Sequence, residues 1–132
     1  MIRGDADGAS IEFSEKEGLT RADGSEFYLV TLRGDHFEAS IKVYAFVPDG
    51  HNLPKFFDDL AYIWKGWDGQ KKWSSLEGEF ELSCEHDEIG HIATTAKICS
   101  RGESWTGQIS FNLPPGELEE IAKSINRFFE IL

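Results

Sequence analysis

The sequence predicts an α+β fold in which about six strands form one antiparallel β-meander and two helices pack on one face of it. Three observations lead to this prediction. Several segments alternate apolar and polar residues with a period of two, which is typical of half-buried strands. Short turns that contain glycine separate these segments and favour antiparallel hairpins. Two further segments repeat apolar residues at spacings of three and four, as amphipathic helices do, and the resulting order is βββ-α-βββ-α.

The first strand is predicted at residues 9–14, which alternate with a period of two. Most of residues 1–8 are small or charged, so we expect this segment to be flexible. The alternation is lost over residues 15–26, where a loop or an irregular hairpin is expected.

A hairpin follows, because two strand-like segments, 27–33 and 36–46, flank a two-residue loop that begins with glycine. Glycine at the first position of such a loop suits a type II′ turn. Pairing Arg33 with His36 then brings the apolar side chains of both strands onto the same face. Turn chemistry and hydrophobic pattern therefore predict the same register.

The first helix is predicted to begin after Asn52, a favourable N-cap residue, with Pro54 in the first turn, where proline is tolerated. Gly66 is expected to end the helix in a left-handed conformation, which lets Trp67 fold back on the last turn. The residues at helical spacing that form its buried stripe are Leu53, Phe56, Phe57, Leu60 and Trp64.

The second meander starts with a strand that has apolar or small residues on one face. A three-residue loop at 88–90 follows this strand. A left-handed Gly90 in that loop pairs Asp87 with His91. The residues on the inward face of the strand are Leu76, Gly78, Phe80, Leu82 and Cys84.

The next turn is predicted at 101–102, with glycine second, and pairs Ser100 with Glu103. In that register Ala96 lies opposite Gly107. Two such small residues leave a shallow spot in the sheet, in which a tryptophan side chain can pack.

The last helix is predicted to begin at Glu117, because the run of two prolines and a glycine at 114–116 stops the preceding strand. Its apolar stripe consists of Leu118, Ile121, Ala122, Ile125, Phe128, Phe129 and Leu132. The 132 residues are expected to fold as a single domain.

The charge of the chain restricts its partners. It has 24 Asp and Glu residues against 13 Lys and Arg, which gives a net charge of −11. Such a surface repels phosphate backbones and anionic lipids, so we expect no nucleic acid and no membrane partner and favour a basic protein partner. No signal core and no membrane-spanning run is present in the sequence, so a cytoplasmic location is expected.

The segment around Cys84, His86 and His91 contains the donor types of a metal site. In the predicted register, however, Cys84 and His86 lean towards the core, whereas His91 lies on the opposite face. We therefore expect neither a metal nor another cofactor. Cys84 and Cys99 also fall on opposite faces of neighbouring strands, so both are expected to be free thiols.

The main candidate for a binding surface is an acidic stripe on the outward face of the same strand, formed by Glu77, Glu79, Glu81 and Glu85. Together with Asp87, Glu38 and Tyr44, the stripe is predicted to form a sheet face that docks a basic protein. Tyr44 supplies an aromatic anchor in this hypothesis. A solvated acidic face without a partner is the plainer interpretation. No catalytic residues are predicted, and the protein is expected not to be an enzyme.

Two other interpretations stay open. In the first, Trp64, Trp73 and Trp105 line a pocket between helices and sheet that binds a small ligand or carries out a reaction. In the second, the protein is an accessory subunit that associates with itself through an edge strand. The sequence leaves the strand order and the oligomeric state open.

Three short motifs occur in succession: W-x-G-W-x-G at 64–69, W-x-S-L-E-G at 73–78 and H-D-x-x-G-H at 86–91. In combination they resemble a family of small bacterial proteins of uncharacterised function, over a region from about Phe37 to Phe129. That family is similar in size and acidity to immunity proteins that neutralise polymorphic bacterial toxins. The resemblance implies a toxin as a tightly bound partner that the protein inhibits, and no catalytic residues are carried over from the family.

Overall fold

The computed structural model describes residues 1–5, 8–17, 26–45, 52–87 and 89–129. These residues form two four-stranded antiparallel sheets and two α-helices, so the predicted α+β class is confirmed. The first sheet contains β1 (Ile2–Arg3), β2 (Ser10–Glu17), β3 (Glu26–Gly34) and β4 (Phe37–Ala45), and helix α1 (Leu53–Tyr62) follows it. The second sheet contains β5 (Gln70–Ser74), β6 (Phe80–His86), β7 (Ile92–Cys99) and β8 (Thr106–Leu113). A 3-10 turn at Pro115–Glu117 then leads into helix α2 (Leu118–Phe128).

Each sheet is a meander whose strand order follows the chain. The prediction of one six-stranded meander is therefore wrong, because it missed two edge strands and the division into two sheets. Strand β1 has only two residues, and β5 exposes four of its five residues, so neither shows the alternation on which the prediction relied. The segment 1–8, predicted to be flexible, contains β1 and the buried side chain of Ile2. Most of the predicted loop at 15–26 lies outside the described residues.

The β3–β4 hairpin forms, but its register differs from the prediction. Gly34 pairs with Phe37, so the turn residues are Asp35 and His36. His36 adopts a left-handed conformation with φ of 55°. The register is shifted by two residues, which keeps every side chain on the predicted face of the sheet.

The β6–β7 hairpin has the predicted register, with Phe80 opposite Ile98 and Cys84 opposite Thr94. The N–H of Asp87 donates to the carbonyl oxygen of His91 at 3.1 Å. Residue 88 of the predicted loop lies outside the described residues.

The β7–β8 turn is longer than predicted. The N–H of Ser100 donates to the carbonyl oxygen of Trp105 at 3.1 Å, so the turn contains four residues instead of two. The hydroxyl of Ser100 accepts the N–H groups of Ser104 and Trp105 at 2.8 and 3.3 Å, which stabilises this turn. Gly107 consequently pairs with Ile98 and not with Ala96.

The two sheets meet at β8. A Cβ atom on Gly107 would lie 3.1 Å from Cζ of Phe37, so a β4 side chain, and not a tryptophan, occupies the space above this glycine. Further along β8, the N–H of Asp5 donates to the carbonyl oxygen of Asn112 at 3.2 Å. The N–H of Asn112 in turn donates to the Asp5 carboxylate at 2.9 Å, so the segment after β1 covers part of the β8 edge.

The buried residues of both sheets and both helices belong to one hydrophobic cluster. The ring of Phe13 on β2 lies 6.0 Å from that of Phe80 on β6 and 5.9 Å from that of Phe128 on α2, measured between centroids. On β3, the ring of Tyr28 makes an edge contact with Phe129 at 5.0 Å. The inner faces of the two sheets thus share their core with α2.

Helix α1 buries Leu53, Phe57 and Leu60, three members of the predicted stripe. It ends at Tyr62, so Trp64 lies beyond the helix and its side chain is 47% exposed. Asn126 of α2 donates to the carboxylate of Asp58 on α1 at 2.9 Å and links the two helices. Within the described ranges, neither helix has the length and apolarity needed to cross a bilayer.

Replacing Gly4 with alanine is expected to lower the free energy of unfolding by about 1–3 kcal/mol, the usual cost of overpacking a core. A Cβ on Gly4 would lie 2.4 Å from Cγ of Phe111, which is buried on β8 and cannot move away freely. Urea denaturation measures the effect. Gly116→Ala is the control, because its Cβ would meet no atom within 4 Å. Equal stability of the two variants would show that a Cβ atom at position 4 does not clash with Phe111.

Candidate functional site

Glu79 is the most deeply buried of the residues predicted for the acidic stripe, with an exposure of 1%. Its carboxylate accepts a short hydrogen bond from the hydroxyl of Ser75. It also accepts the main-chain N–H of Tyr44 at 3.4 Å. Because Tyr44 lies on the edge strand β4 of the first sheet, this carboxylate connects the two sheets. The prediction that Glu79 points outwards is therefore wrong.

The turn before β6 explains the burial. The N–H of Ser75 donates to the carbonyl oxygen of Phe80 at 2.8 Å, and the N–H of Phe80 donates to the hydroxyl of Ser75 at 3.1 Å. Gly78 adopts a left-handed conformation with φ of 77° in the turn that these bonds close. The strand begins only at Phe80, so the in-and-out alternation does not extend to Glu79.

An acidic groove of about 340 Å³ lies above this buried carboxylate, between the turn before β6 and the β7–β8 turn. Its charged lining consists of Glu77, Glu79, Glu81, Glu103 and Arg101. The Nη2 atom of Arg101 lies 3.4 Å from Oε1 of Glu77 and 3.8 Å from Oε2 of Glu79. Neither Glu81 nor Glu103 forms an ion pair with any residue in the described part of the chain. We call this feature the acidic groove.

Sequence reasoning missed Arg101 and Glu103, because it predicted a two-residue β7–β8 turn. In the longer turn Glu103 takes a left-handed conformation with φ of 54°, and its N–H donates to the carbonyl oxygen of Ser100 at 2.8 Å. The serine at position 100, four residues before another serine, is a local signal that favours a side-chain-stabilised turn. This signal would have placed both side chains at the end of the second sheet.

Glu81 and Glu85 point outwards from β6, as predicted. The outer face of this sheet also carries cations, because Lys97 lies opposite Glu81 in the β6–β7 register, although the two side chains form no ion pair. On the other side of β6, Lys72 of β5 pairs with Ser83 on the same outer face. The acidic groove, in contrast, has four glutamates and one arginine among its described lining residues.

Asp87 and Glu38 lie elsewhere and already have partners. Partial burial raises the pKa of Asp87, but hydrogen bonds from the N–H groups of His91 and Ile89 and from the His91 ring outweigh it, so this pKa lies below its ordinary value. Glu38 lies on the first sheet and accepts a hydrogen bond from Arg33 at 3.2 Å. Hydrogen bonds to Glu12 and Glu38 raise the pKa of the Arg33 guanidinium.

Tyr44, the predicted aromatic anchor, is half-buried and its ring lies 5.0 Å from that of Phe27. Its main-chain N–H, and not its side chain, is the group that meets the acidic groove through Glu79. The structure thus brings Glu77, Glu79 and Glu81 together, with Tyr44 at the buried side of the groove.

The two histidines of the metal hypothesis diverge. His86 is buried, and its Nε2 lies 3.1 Å from the carbonyl oxygen of Trp64. Its ring makes an edge contact with Trp67 at 5.1 Å between centroids, whereas His91 is exposed beside Asp87. Among the residues that the structure describes, no three His, Cys, Asp or Glu side chains are grouped as metal ligands would be.

The two cysteines are free thiols in different surroundings. Cys84 is buried in the core, and this burial raises its pKa to about 11, although a hydrogen bond to Thr94 opposes the shift. Cys99 is half-buried beside the acidic groove, with Sγ 3.7 Å from the carbonyl oxygen of Gly78.

At pH 8 we expect iodoacetamide to alkylate Cys99 and to spare Cys84 in the native protein. The raised pKa leaves only about one Cys84 in a thousand as thiolate at this pH, and the onset of its reaction shifts upwards towards pH 11. Peptide mass spectrometry measures the extent of labelling at each site. Cys99→Ser should abolish the native reaction, and urea should make Cys84 reactive. Fast labelling of Cys84 in the folded protein would contradict its burial.

The three tryptophans of the pocket hypothesis do not converge. Trp64 lines a groove of about 560 Å³ together with Tyr62 and Pro115, and neither Trp73 nor Trp105 lines it. The ring of Trp73 instead contacts the buried ring of Phe80 at 5.3 Å. Trp105 is exposed at the end of the β7–β8 turn. The geometry therefore does not support a shared tryptophan-lined pocket.

Fold and site together define a small acidic α+β protein, built from two consecutive units of one meander and one helix. The chain belongs to the family described as "Family of unknown function (DUF6228)", which matches residues 2–131. No curated protein matches the chain. The expectation of an uncharacterised family is thus confirmed, whereas the motif and the likeness to immunity proteins stay predictions.

Proposed function

We infer that this protein is a non-enzymatic binding protein that docks a basic protein through the acidic groove. The observation that carries this proposal is the excess of carboxylates at one place: four glutamates line the groove and Arg101 is its only lining cation among the described residues. Two of these carboxylates, on Glu81 and Glu103, are exposed and lack a cationic partner in the described part of the chain. A Lys or Arg side chain of a partner supplies the missing charge.

The buried Glu79 supports the groove in this proposal and is not the group that contacts the partner. Its bonds to Ser75 and Tyr44 hold the turn in place, while the exposed carboxylates of Glu77, Glu81 and Glu103 remain accessible. Glu85 extends the acidic surface along β6. The net charge of −11 accelerates the approach of a basic partner at low salt.

A toxin domain is the specific partner that we propose, because the family that the sequence motifs resemble is similar in size and acidity to immunity proteins. Such a role places the toxin gene immediately upstream. The test is therefore a calorimetric titration with the protein encoded there. We expect Glu81→Gln combined with Glu103→Gln to weaken binding about tenfold or more, because two charge-assisted contacts are lost.

Glu119→Gln combined with Glu120→Gln is the matched control. Replacing these two exposed helix residues removes the same charge. Neither residue lines the groove, and both already have Lys123 within 3.6 Å. Equal loss of affinity in both double variants would show that the change in net charge, and not the loss of contacts in the groove, weakens binding. Unchanged binding of the groove variant would refute docking through the acidic groove.

A further inference from the structure

Strand β5 is an edge strand with open main-chain groups. In the described part of the chain it pairs only with β6, and the N–H of Ser75 donates to the carbonyl oxygen of Phe80 at 2.8 Å. Hydrogen-bonded and non-hydrogen-bonded pairs alternate along an antiparallel ladder. The N–H and C=O groups of Gln70, Lys72 and Ser74 therefore point away from β6. All three residues are exposed, and no described residue meets these groups.

Other sheet edges of this protein are partly covered. On β4, the Glu79 carboxylate accepts the N–H of Tyr44, and on β8, Asp5 bonds to both main-chain groups of Asn112. Natural proteins usually cover or interrupt edge strands in this way, because an open edge recruits further strands. The edge of β5 differs from those of β4 and β8, because no described residue covers its outward main-chain groups.

A groove of about 430 Å³ lies beside this edge, between β5 and α1. Phe56, Leu60 and Ile63 provide apolar surface on the α1 side. Lys71 and Lys72 line the groove on the β5 side. It lies where a strand added to β5 would project its side chains, so it offers room for an apolar side chain of that strand.

The charge beside the edge is opposite to that of the whole molecule. Lys71 and Lys72 are exposed and form no ion pair with a described residue. Asp59, the acidic residue of the groove lining, is already bonded to Lys55 at 2.9 Å. The edge thus presents two unpaired cations on a chain of net charge −11, and acidic side chains complement them.

We propose that the edge of β5 is a docking site for an extended acidic segment of a partner protein, which joins the second sheet as a fifth strand. Main-chain bonds to Gln70, Lys72 and Ser74 hold the segment. Its acidic side chains lie on the outer face of the sheet with Lys72, and its apolar side chains lie on the opposite face with Lys71. This surface is distinct from the acidic groove and takes a partner of opposite charge.

A second copy of this chain fits the edge less well. Antiparallel pairing of two β5 strands about their central residue sets Lys72 directly against Lys72 of the other copy, and like charges in that position are destabilising. Two chains of net charge −11 also repel each other at a distance.

The probe is a capped peptide of about eight residues that alternates valine and glutamate, matching the length of an ordinary strand. We expect this peptide to bind the full chain and to slow hydrogen exchange at the N–H groups of Gln70, Lys72 and Ser74 at least about tenfold. Exchange at Lys71 and Trp73, whose N–H groups face β6, stays unchanged. A peptide that alternates valine and lysine is not bound.

Two variants separate main-chain pairing from charge. Lys72→Pro removes an N–H that faces solvent, so the fold is retained but strand addition is blocked and binding is lost. Lys72→Gln keeps the main chain but removes the cation on the face that carries the glutamates, so binding weakens about threefold. Glu103→Gln, a variant of the acidic groove that lies in the β7–β8 turn and does not pair with β5, leaves peptide binding unchanged. The two proposals can therefore fail independently.

Four outcomes of the peptide experiments would overturn the proposal. They are no binding at millimolar peptide, binding without protection of the three edge N–H groups, equal binding of the lysine peptide, and full binding by Lys72→Pro. If no peptide bound, the role of the two lysines would be to prevent edge-to-edge aggregation. A dimer seen by light scattering that protects the same three groups without peptide would assign the edge to self-association instead.

Discussion

Replacing Phe80 with alanine is expected to lower the free energy of unfolding by about 3–5 kcal/mol. The side chain is completely buried, and its ring contacts Phe13 of the first sheet and Trp73 of β5. Its loss leaves a cavity at the place where the two sheets share their core, which neighbouring side chains fill only in part. Urea denaturation monitored by circular dichroism measures the change.

Phe27→Ala is the matched control for this variant. Phe27 is a half-buried phenylalanine on the outer face of the first sheet, beside Tyr44. Its removal exposes less of the core, so we expect a loss of about 1–2 kcal/mol. Equal destabilisation by both replacements would show that Phe80 does not join the two sheets.

The second large effect is expected for Glu79→Ala, at about 2–4 kcal/mol. This replacement leaves the buried hydroxyl of Ser75 and the N–H of Tyr44 without their acceptor, and each unsatisfied group costs about 1–3 kcal/mol. Arg101 contributes little to the loss, because its side chain is half exposed and screened by water. Chemical denaturation at neutral pH measures it.

Two further variants show where that effect comes from. Glu79→Gln keeps the shape and one acceptor oxygen and is expected to lose about half as much stability. Glu77→Ala removes an exposed carboxylate of the same groove and is expected to change stability by no more than about 0.5 kcal/mol. If Glu77→Ala were as harmful as Glu79→Ala, the bonds to Ser75 and Tyr44 would not be the cause.

The sequence was sufficient to predict the secondary structure class and the inward faces of the strands. The β6–β7 register was predictable, because the short loop before His91 and the apolar pattern restrict the pairing in the same way. The other two predicted hairpins were each shifted by two residues. Such a shift preserves the faces, so the hydrophobic pattern cannot detect it. The side-chain bonds of Ser100 decide the β7–β8 turn.

The division into two sheets depends on contacts that no local pattern contains. Asp5 meets Asn112, and Phe37 lies over Gly107, only when distant parts of the chain come together. The acidic groove was only partly predictable. Glu81 and Glu85 follow the alternation of β6, whereas the position of Glu79 depends on a turn that the alternation does not reach.

The hydrogen bonds between Asp5 and Asn112 also bear on the order of folding. They join residues 107 positions apart, whereas every ladder within a sheet connects strands that follow each other in the chain. Contacts between neighbouring segments form early, because closing a short loop costs less entropy than closing a long one. Each meander can therefore gain structure before the chain ends are brought together, and we expect the joining of β1 to β8 to be the late step of folding.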